Sequence, residues 1–439
     1  MIDSQTLSKP AATPSADAYS NRCSSLTPSS LRFLHRIGAW DHADRSRTQH
    51  YHAMNVWDGV SGSKIHFDPS DKSPTIMDMI PGARSQGSRK APGISDPSVI
   101  ATMCENSNLT SALLANMGAQ GDVDILDGRK VESIKLGPEP KDEEGLDLSQ
   151  WPIITLPDSR PLAARLLVGA DGANSPVRTF ADIPSHGWDY DRHGLVATLD
   201  LDQTFPTNLP RTAYQRFLPT GPIALLPLPN NKASLVWSTT PTHAAHLKTL
   251  SSADFTAMVN AAFRLMPVDI KYMHTLPSAQ TDELSWREPA TAATQTGLPT
   301  SFPRILDVQQ GTRASFPLRM RHASTYTGHR VALIGDAAHT VHPLAGQGLN
   351  LGLADAEALA ACIAQGLECG MDIGTNWCLD GYQSERWAAN NAMLGTVDKL
   401  HKLYSAGSGP VVWGRSLGLE VVERLGPLKG FLMGAAAGR

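Results

Sequence analysis

The sequence is poor in the features that mark several functional classes. Charged residues make up only 18% of its 439 positions, against about a quarter in an average soluble domain, and the formal net charge is -4. No run of Lys or Arg exceeds two residues, so the phosphate-neutralising surface of a nucleic-acid binder is missing. The five cysteines, Cys23, Cys104, Cys362, Cys369 and Cys378, are odd in number and form no C-x-x-C pair. That argues against a disulfide framework or a thiolate zinc site and fits a reducing compartment. No uncharged apolar stretch approaches the roughly 18 residues that a bilayer crossing needs. Met1 to Ala18 is polar, with one Lys and no Arg, so it resembles neither a signal peptide nor an Arg-rich presequence.

What is there reads as a folded, loop-rich enzyme. Hydrophobic residues make up 41% of the chain, with 36 Gly and 31 Pro, and the length corresponds to two or three domains, each able to bury a core. Thr27-Pro28 opens a helix with apolar Leu31, Leu34, Ile37 and Trp40, Pro28 suiting the first helical position. Met54 to Phe67 alternates apolar and polar residues around Asp58-Gly59 and Ser61-Gly62, a hairpin pattern. Residues 68–97 read as loop, Leu109 to Met117 as a helix, the acidic run 137–150 as a solvated hairpin tip and 275–304 as a surface excursion. Ala164 to Ala170 and Arg330 to Gly335 are short apolar runs that lead into Asp171-Gly172 and Gly335-Asp336, the form of buried parallel strands. Ile223 to Leu228 and Ala233 to Thr239 imply a second, antiparallel region. Leu349 to Leu367 and the chain beyond Tyr382 have helical spacing, and the apolar set from Leu417 to Met433 reads as helix core.

The richest segment runs Gly335-Asp336-Ala-Ala-His339-Thr-Val-His342-Pro343-Leu344-Ala-Gly346-Gln347-Gly348-Leu349-Asn350-Leu-Gly352. A buried strand delivers a carboxylate to its C-terminal edge, where open α/β sheets bind ligands. A Gly-rich turn then opens a helix whose first N–H groups face that edge. Gly346 and Gly348 let the backbone approach a flat ligand, and the helix dipole favours negative charge on it. His339 and His342 stand i, i+3 without a carboxylate of clear geometry, so no metal is expected.

This segment resembles the second flavin motif of the aromatic-ring hydroxylases, the flavoprotein monooxygenases that include p-hydroxybenzoate hydroxylase. Leu167-Val-Gly-Ala-Asp171-Gly172-Ala-Asn-Ser175-Pro-Val-Arg178, 165 positions before Asp336 when counted from Asp171, resembles their Asp-Gly motif. Tyr19-Ser-Asn-Arg22, Gly38-Ala-Trp-Asp41, Glu105-Asn106, Gln215-Arg216-Phe217-Leu-Pro219 and Ala314-Ser-Phe-Pro317 resemble the ubiquinone-biosynthesis hydroxylases, most closely their eukaryotic mitochondrial branch. The implied fold is α/β: an FAD-binding doubly wound sheet with an inserted antiparallel substrate domain and C-terminal helices. Residues 1–50, 98–186 and 305–381 would bind FAD, 51–97 and 187–304 would form the substrate domain, and 382–439 the helical region. The resemblance implies FAD contacts from Asp3, Arg22, Asp171, Gly172, Gly335, Asp336, Pro343, Gly346, Gln347, Gly348, Leu349 and Asn350. Asp336 would bond the ribityl chain, Pro343 lie beside the isoalloxazine, and Asp171 stand near the ribose and pyrophosphate. Leu344, Gln215, Arg216 and Phe217 would line the substrate pocket.

The implied reaction is hydroxylation, at ring position five, of a polyprenylated 4-hydroxybenzoate-type phenol by O2 through a flavin hydroperoxide, in ubiquinone biosynthesis. Such chemistry belongs to the cofactor, so no side-chain triad is expected. Electrons would come from NADPH or from a ferredoxin and ferredoxin reductase. The same resemblance implies a quinone-biosynthesis protein complex and peripheral contact with the matrix side of the mitochondrial inner membrane. Another flavin-dependent phenol hydroxylase, a prenyl reductase and a truncated non-catalytic subunit stand as alternatives. One departure is large. The family opens with a strand and a G-x-G-x-x-G turn that clamps the pyrophosphate, whereas the Gly-x-Gly pairs here, at Gly346 and Gly407, lack the third glycine. Met1-Ile2-Asp3 resembles the end of the family's second strand, so the sequence is expected to begin at an internal methionine, without the first strand-turn-helix unit, and not to function alone.

Overall fold

The two apolar runs that lead into Asp171-Gly172 and Gly335-Asp336 lie side by side as parallel strands. Leu167–Gly169 pairs with Val331–Leu333 in the register Leu167↔Val331, Val168↔Ala332 and Gly169↔Leu333, and Thr327–Gly328 adds an antiparallel edge. These strands belong to a computed structural model that describes residues 1–7, 17–68, 96, 98–139, 147–157, 160–202, 211–341 and 346–405. Val331, Ala332 and Leu333 are fully buried, packed with Leu359 of the helix Gly348–Glu368 and with Leu379 and Tyr382 of the helix Asn376–Ser405. Leu167 turns toward that core, but Val168 turns away and is 39% exposed. The Leu167 strand is therefore covered on one face, not on both as its sequence suggests. Gly352 allows the helix to come close to the strand end: a Cβ there would stand 3.3 Å from the Gly335 Cα.

These elements belong to the first of two compact units, Met1–Thr13, Leu114–Tyr190 and Arg319–Asp398. The acidic run joins the antiparallel strands Ser133–Leu136 and Pro152–Thr155, as a hairpin tip should, with residues 140–146 outside the described set.

The second unit comprises Pro14–Leu113, Asp191–Leu318 and Lys399–Arg439. Its sheet runs in the order Ser185–Leu201, Lys232–Thr239, Gly221–Pro227, Thr212–Leu218, Ala53–Asp58, Lys64–Phe67, the first of these strands entering from the other unit. The expected antiparallel pattern fails at one place, where Thr212–Leu218 and Ala53–Asp58 run parallel. Trp57, Leu195, Leu235 and Trp237 pack with Phe255, Met258 and Phe263 of the helix Ser252–Arg264. The stretch 275–304 is not a bare excursion. It holds the helices Gln280–Ala290 and Ala293–Thr296, anchored by buried Leu284 and by the Arg264–Glu288 ion pair at 3.2 Å. A helix with so few apolar anchors shows no stripe in its sequence. A smaller sheet aligns Cys23–Leu26, Ala101–Glu105 and Gln49–Tyr51 antiparallel. Beside it, Thr27 caps the helix Pro28–Arg36 by accepting from the Ser30 amide.

Among the described residues no helix is long and apolar enough to cross a membrane. The apolar set Leu417 to Met433 lies outside them.

Candidate functional site

The parallel register brings Asp171 and Asp336 to the same end of neighbouring strands, two and three residues beyond Gly169 and Leu333. Both residues are exposed, though the Asp336 carboxyl is partly desolvated by its surroundings. Asp171 Oδ2 accepts from the Val177 amide at 3.0 Å, in the first turn of the helix Pro176–Phe180. Gly172 precedes that turn with φ +86, a left-handed conformation that glycine adopts without strain. Arg178 joins the two motifs: its Nη1 donates to Ala337 O at 2.8 Å and its Nη2 to Ala173 O at 2.7 Å. Asp336 sits in the 3₁₀ turn Gly335–Ala337. The protein around it raises its pKa by desolvation, which His339 partly offsets.

The helix that follows begins at Gly348, with Gln347 at the N-cap making no side-chain cap bond. Gly346 has φ +61 and is exposed, Gln347 and Leu349 are half-buried, and Asn350 is buried. Asn350 Nδ2 donates to Gly346 O at 3.3 Å. Among the described residues, a Cβ at Gly348 would meet no atom within 4 Å. Pro343, Leu344 and His342 fall outside the described residues. Asp3 is tied elsewhere in the first unit. Ile2 forms a parallel bridge with Leu126, and the Asp3 carboxylate accepts from the Gln5 amide at 2.8 Å. Among the described residues no ladder joins Asp3 to the Leu167 strand.

Behind the Asp336 turn stands a buried polar cluster that the sequence did not reveal. Asp355 has no exposed surface. Its Oδ2 accepts from His339 Nε2 at 2.5 Å and from the Gly335 amide at 3.1 Å. Its Oδ1 accepts from Arg386 Nε at 2.9 Å and Asn390 Nδ2 at 3.0 Å. Burial alone would raise the Asp355 pKa, but the hydrogen bonds and the charge of His339 outweigh it and hold the carboxyl below the ordinary value. The carboxylate His339 needs is thus 16 residues downstream, seven places beyond the helix start at Gly348 and past the end of the motif that drew attention. Among the described residues no group is placed to hold a metal.

The remaining sequence-predicted residues lie in the second unit. Arg22 is exposed, on a segment fixed by a second missed pair. Glu105, 1% exposed, accepts from the Ser20 amide at 2.6 Å and from Arg47 Nε at 2.6 Å, while Arg47 Nη2 donates to Ala18 O at 2.7 Å. The expected trio on Thr212–Leu218 separates, because alternate side chains of a strand point to opposite faces. Gln215 and Phe217 share one face, and Phe217 stacks on Tyr404 with centroids 3.8 Å apart. Arg216 points the other way. Its guanidinium donates to Ala262 O at 3.0 Å and Gly59 O at 3.4 Å, so it belongs to the sheet–helix core and not to a pocket shared with Gln215 and Phe217.

Chemically, the first unit presents two carboxylates on exposed residues that can accept from ligand hydroxyls, and a helix start that suits an electron-rich or anionic ring edge. Those are the groups that a ribityl chain, a ribose and an isoalloxazine require, so the residues present fit FAD.

The FAD binding domain family matches residues 13–396. Over 425 residues the chain is 38% identical to the ubiquinone biosynthesis monooxygenase COQ6, mitochondrial, of Schizosaccharomyces pombe, an alignment that covers 96% of this chain and 82% of that protein. Over 434 residues it is 37% identical to the protein of the same name from Saccharomyces cerevisiae, covering 96% and 83%. Among solved structures it is similar to the p-nitrophenol 4-monooxygenase PnpA of Pseudomonas putida, with a TM-score of 0.65 at 16% identity over 100% of this chain and 91% of that one. This last likeness speaks for the fold.

Proposed function

The chain belongs to the FAD binding domain family and, within it, to the ubiquinone biosynthesis monooxygenases, and from that membership we propose that it hydroxylates ring position five of a polyprenylated 4-hydroxybenzoate-type phenol. It is an FAD-dependent monooxygenase of ubiquinone biosynthesis with a p-hydroxybenzoate hydroxylase-like α/β fold. Bound FAD supplies the activation of O2.

The chain's own part is to bind and orient. Asp336 accepts from a ribityl hydroxyl, Asp171 and Gly172 serve the ribose and pyrophosphate side, and the backbone from Gly346 to Asn350 faces the pyrimidine edge. Asp3 and Arg22 complete the flavin contacts in this reading. Gln215 and Phe217 hold the substrate ring, and Leu344 opens an apolar route for the prenyl tail, which water would strongly disfavour. The protein works in mitochondria, peripherally on the matrix face of the inner membrane in a quinone-biosynthesis complex. A ferredoxin and its reductase, or NADPH, supply its electrons.

One observation carries the assignment of the flavin residues: Asp171 and Asp336 stand at the same end of adjacent parallel strands, with Arg178 bonded to both loops. Asp336→Ala should therefore bind FAD at least about tenfold more weakly, the size of one lost hydrogen bond to a charged group. Equal flavin content in variant and parent after desalting would remove Asp336 from the ribityl chain.

A further inference from the structure

We propose that Asp355 is a positioning residue for flavin binding: its buried carboxylate grips both ends of the turn that presents Asp336, so flavin affinity depends on a side chain behind the turn. The inference rests on the reading of Asp336 as a flavin ligand.

Asp355 lies in the helix Gly348–Glu368, yet one of its oxygens reaches back to Gly335, immediately before Asp336, and to His339, three residues after it. That turn needs a brace. Gly335 is left-handed at φ +59, and Asp336 is an exposed residue in a three-residue 3₁₀ turn, so local propensity alone does not fix the direction of its carboxylate. The other Asp355 oxygen is held by Arg386 and Asn390, which sit i, i+4 on the helix Asn376–Ser405, with Arg386 Nη2 donating to Asn390 Oδ1 at 2.9 Å. Four donors thus converge on one carboxylate with no exposed surface, two from the turn and two from the brace.

Packing alone does not call for this group. A buried carboxylate carries a desolvation penalty that an apolar residue would avoid. Here it satisfies the Gly335 amide and orients His339 through Nε2, fixing the backbone on both sides of Asp336. A ligand that meets a fixed acceptor loses less conformational freedom on binding than one that must order it.

The test is a double-mutant cycle on FAD affinity. FAD is titrated into flavin-free full chain, and quenching of its fluorescence gives Kd for the parent, Asp336→Ala, Asp355→Asn and the double variant. Asp355→Asn keeps the shape but turns one acceptor into a donor facing donors. The proposal predicts at least about tenfold weakening in each single variant, and a double variant no weaker than the weaker single. Two single effects that multiply in the double variant, or an Asp355→Asn protein that binds FAD like the parent while Asp336→Ala does not, overturn it. If Asp336→Ala itself binds normally, the reading of Asp336 fails and the proposal falls with it. Should Asp355→Asn not fold by circular dichroism, Arg386→Lys replaces it in the cycle, loosening the brace while leaving the carboxylate, and is judged by the same outcomes.

Discussion

Arg216 has no exposed surface, and burial lowers its pKa to about 10, with Asp58 partly restoring it. Its sequence neighbours Gln215 and Phe217 suggested a shared pocket; the pleat assigns it to the core. Arg216→Ala removes the cation facing Asp58 and two donors to buried carbonyls, so a loss of about 3 kcal/mol or more is expected from the urea midpoint, with substrate KM unchanged in enzyme that still folds. A stable variant with raised KM would return Arg216 to the substrate site. His274 makes a second case. It is 9% exposed, its ring is stacked on His243 at 3.9 Å, and its pKa is pushed down to about 3 by burial, then by the charges of His243 and His246; Arg192 in turn bears on His243. An unfolded histidine takes up its proton near pH 6.5, while the folded one resists until far lower. Stability from this site is therefore complete above about pH 6.5 and falls as pH drops toward 3, by about 2 kcal/mol at pH 5. His322, lowered to about 4 by burial and then by His339, adds to the same slope. Melting temperatures between pH 7 and 5 should fall less steeply in His274→Phe, which keeps the ring but cannot protonate; an unchanged slope would show that His274 is already charged in the fold.

At the scale of elements, legibility followed local chemistry. The helix Pro28–Arg36 announced itself by Thr27 and Pro28, and the hairpin of Ala53–Asp58 with Lys64–Phe67 by its turn residues. The helix Ser252–Arg264 did not, because every residue from Phe255 to Phe263 is buried and no polar face marks the period. One polar side chain locks it in place. Asn260, 2% exposed, donates to Ile305 O at 2.9 Å and accepts from the Ile305 amide at 3.3 Å, copying a strand partner for the edge strand Ile305–Val308. Asn260→Leu leaves both Ile305 groups unsatisfied and should destabilise the protein by about 2–3 kcal/mol in equilibrium urea unfolding. A change under about 0.5 kcal/mol would mean that solvent replaces the side chain.

For the whole molecule, the flavin motifs were readable because each is contiguous: Asp171-Gly172 and Gly335 to Asn350 carry their geometry in consecutive residues. The supporting shell was not, since Gly335, His339, Asp355, Arg386 and Asn390 meet only after two helices fold onto one strand end, and no spacing rule joins positions so far apart. The parallel pair inside the second unit's sheet escaped for the same reason, because Ala53–Asp58 and Thr212–Leu218 find each other across more than 150 residues. The proposed reaction inserts one oxygen atom from O2 into a prenylated phenol. It is tested most directly by supplying 18O2 to cells that depend on this protein for quinone synthesis and weighing the hydroxylated intermediate. One 18O atom is expected in the new ring hydroxyl, and none when the label is given as water. Label arriving from water, or a product changed only in its prenyl chain, would contradict it.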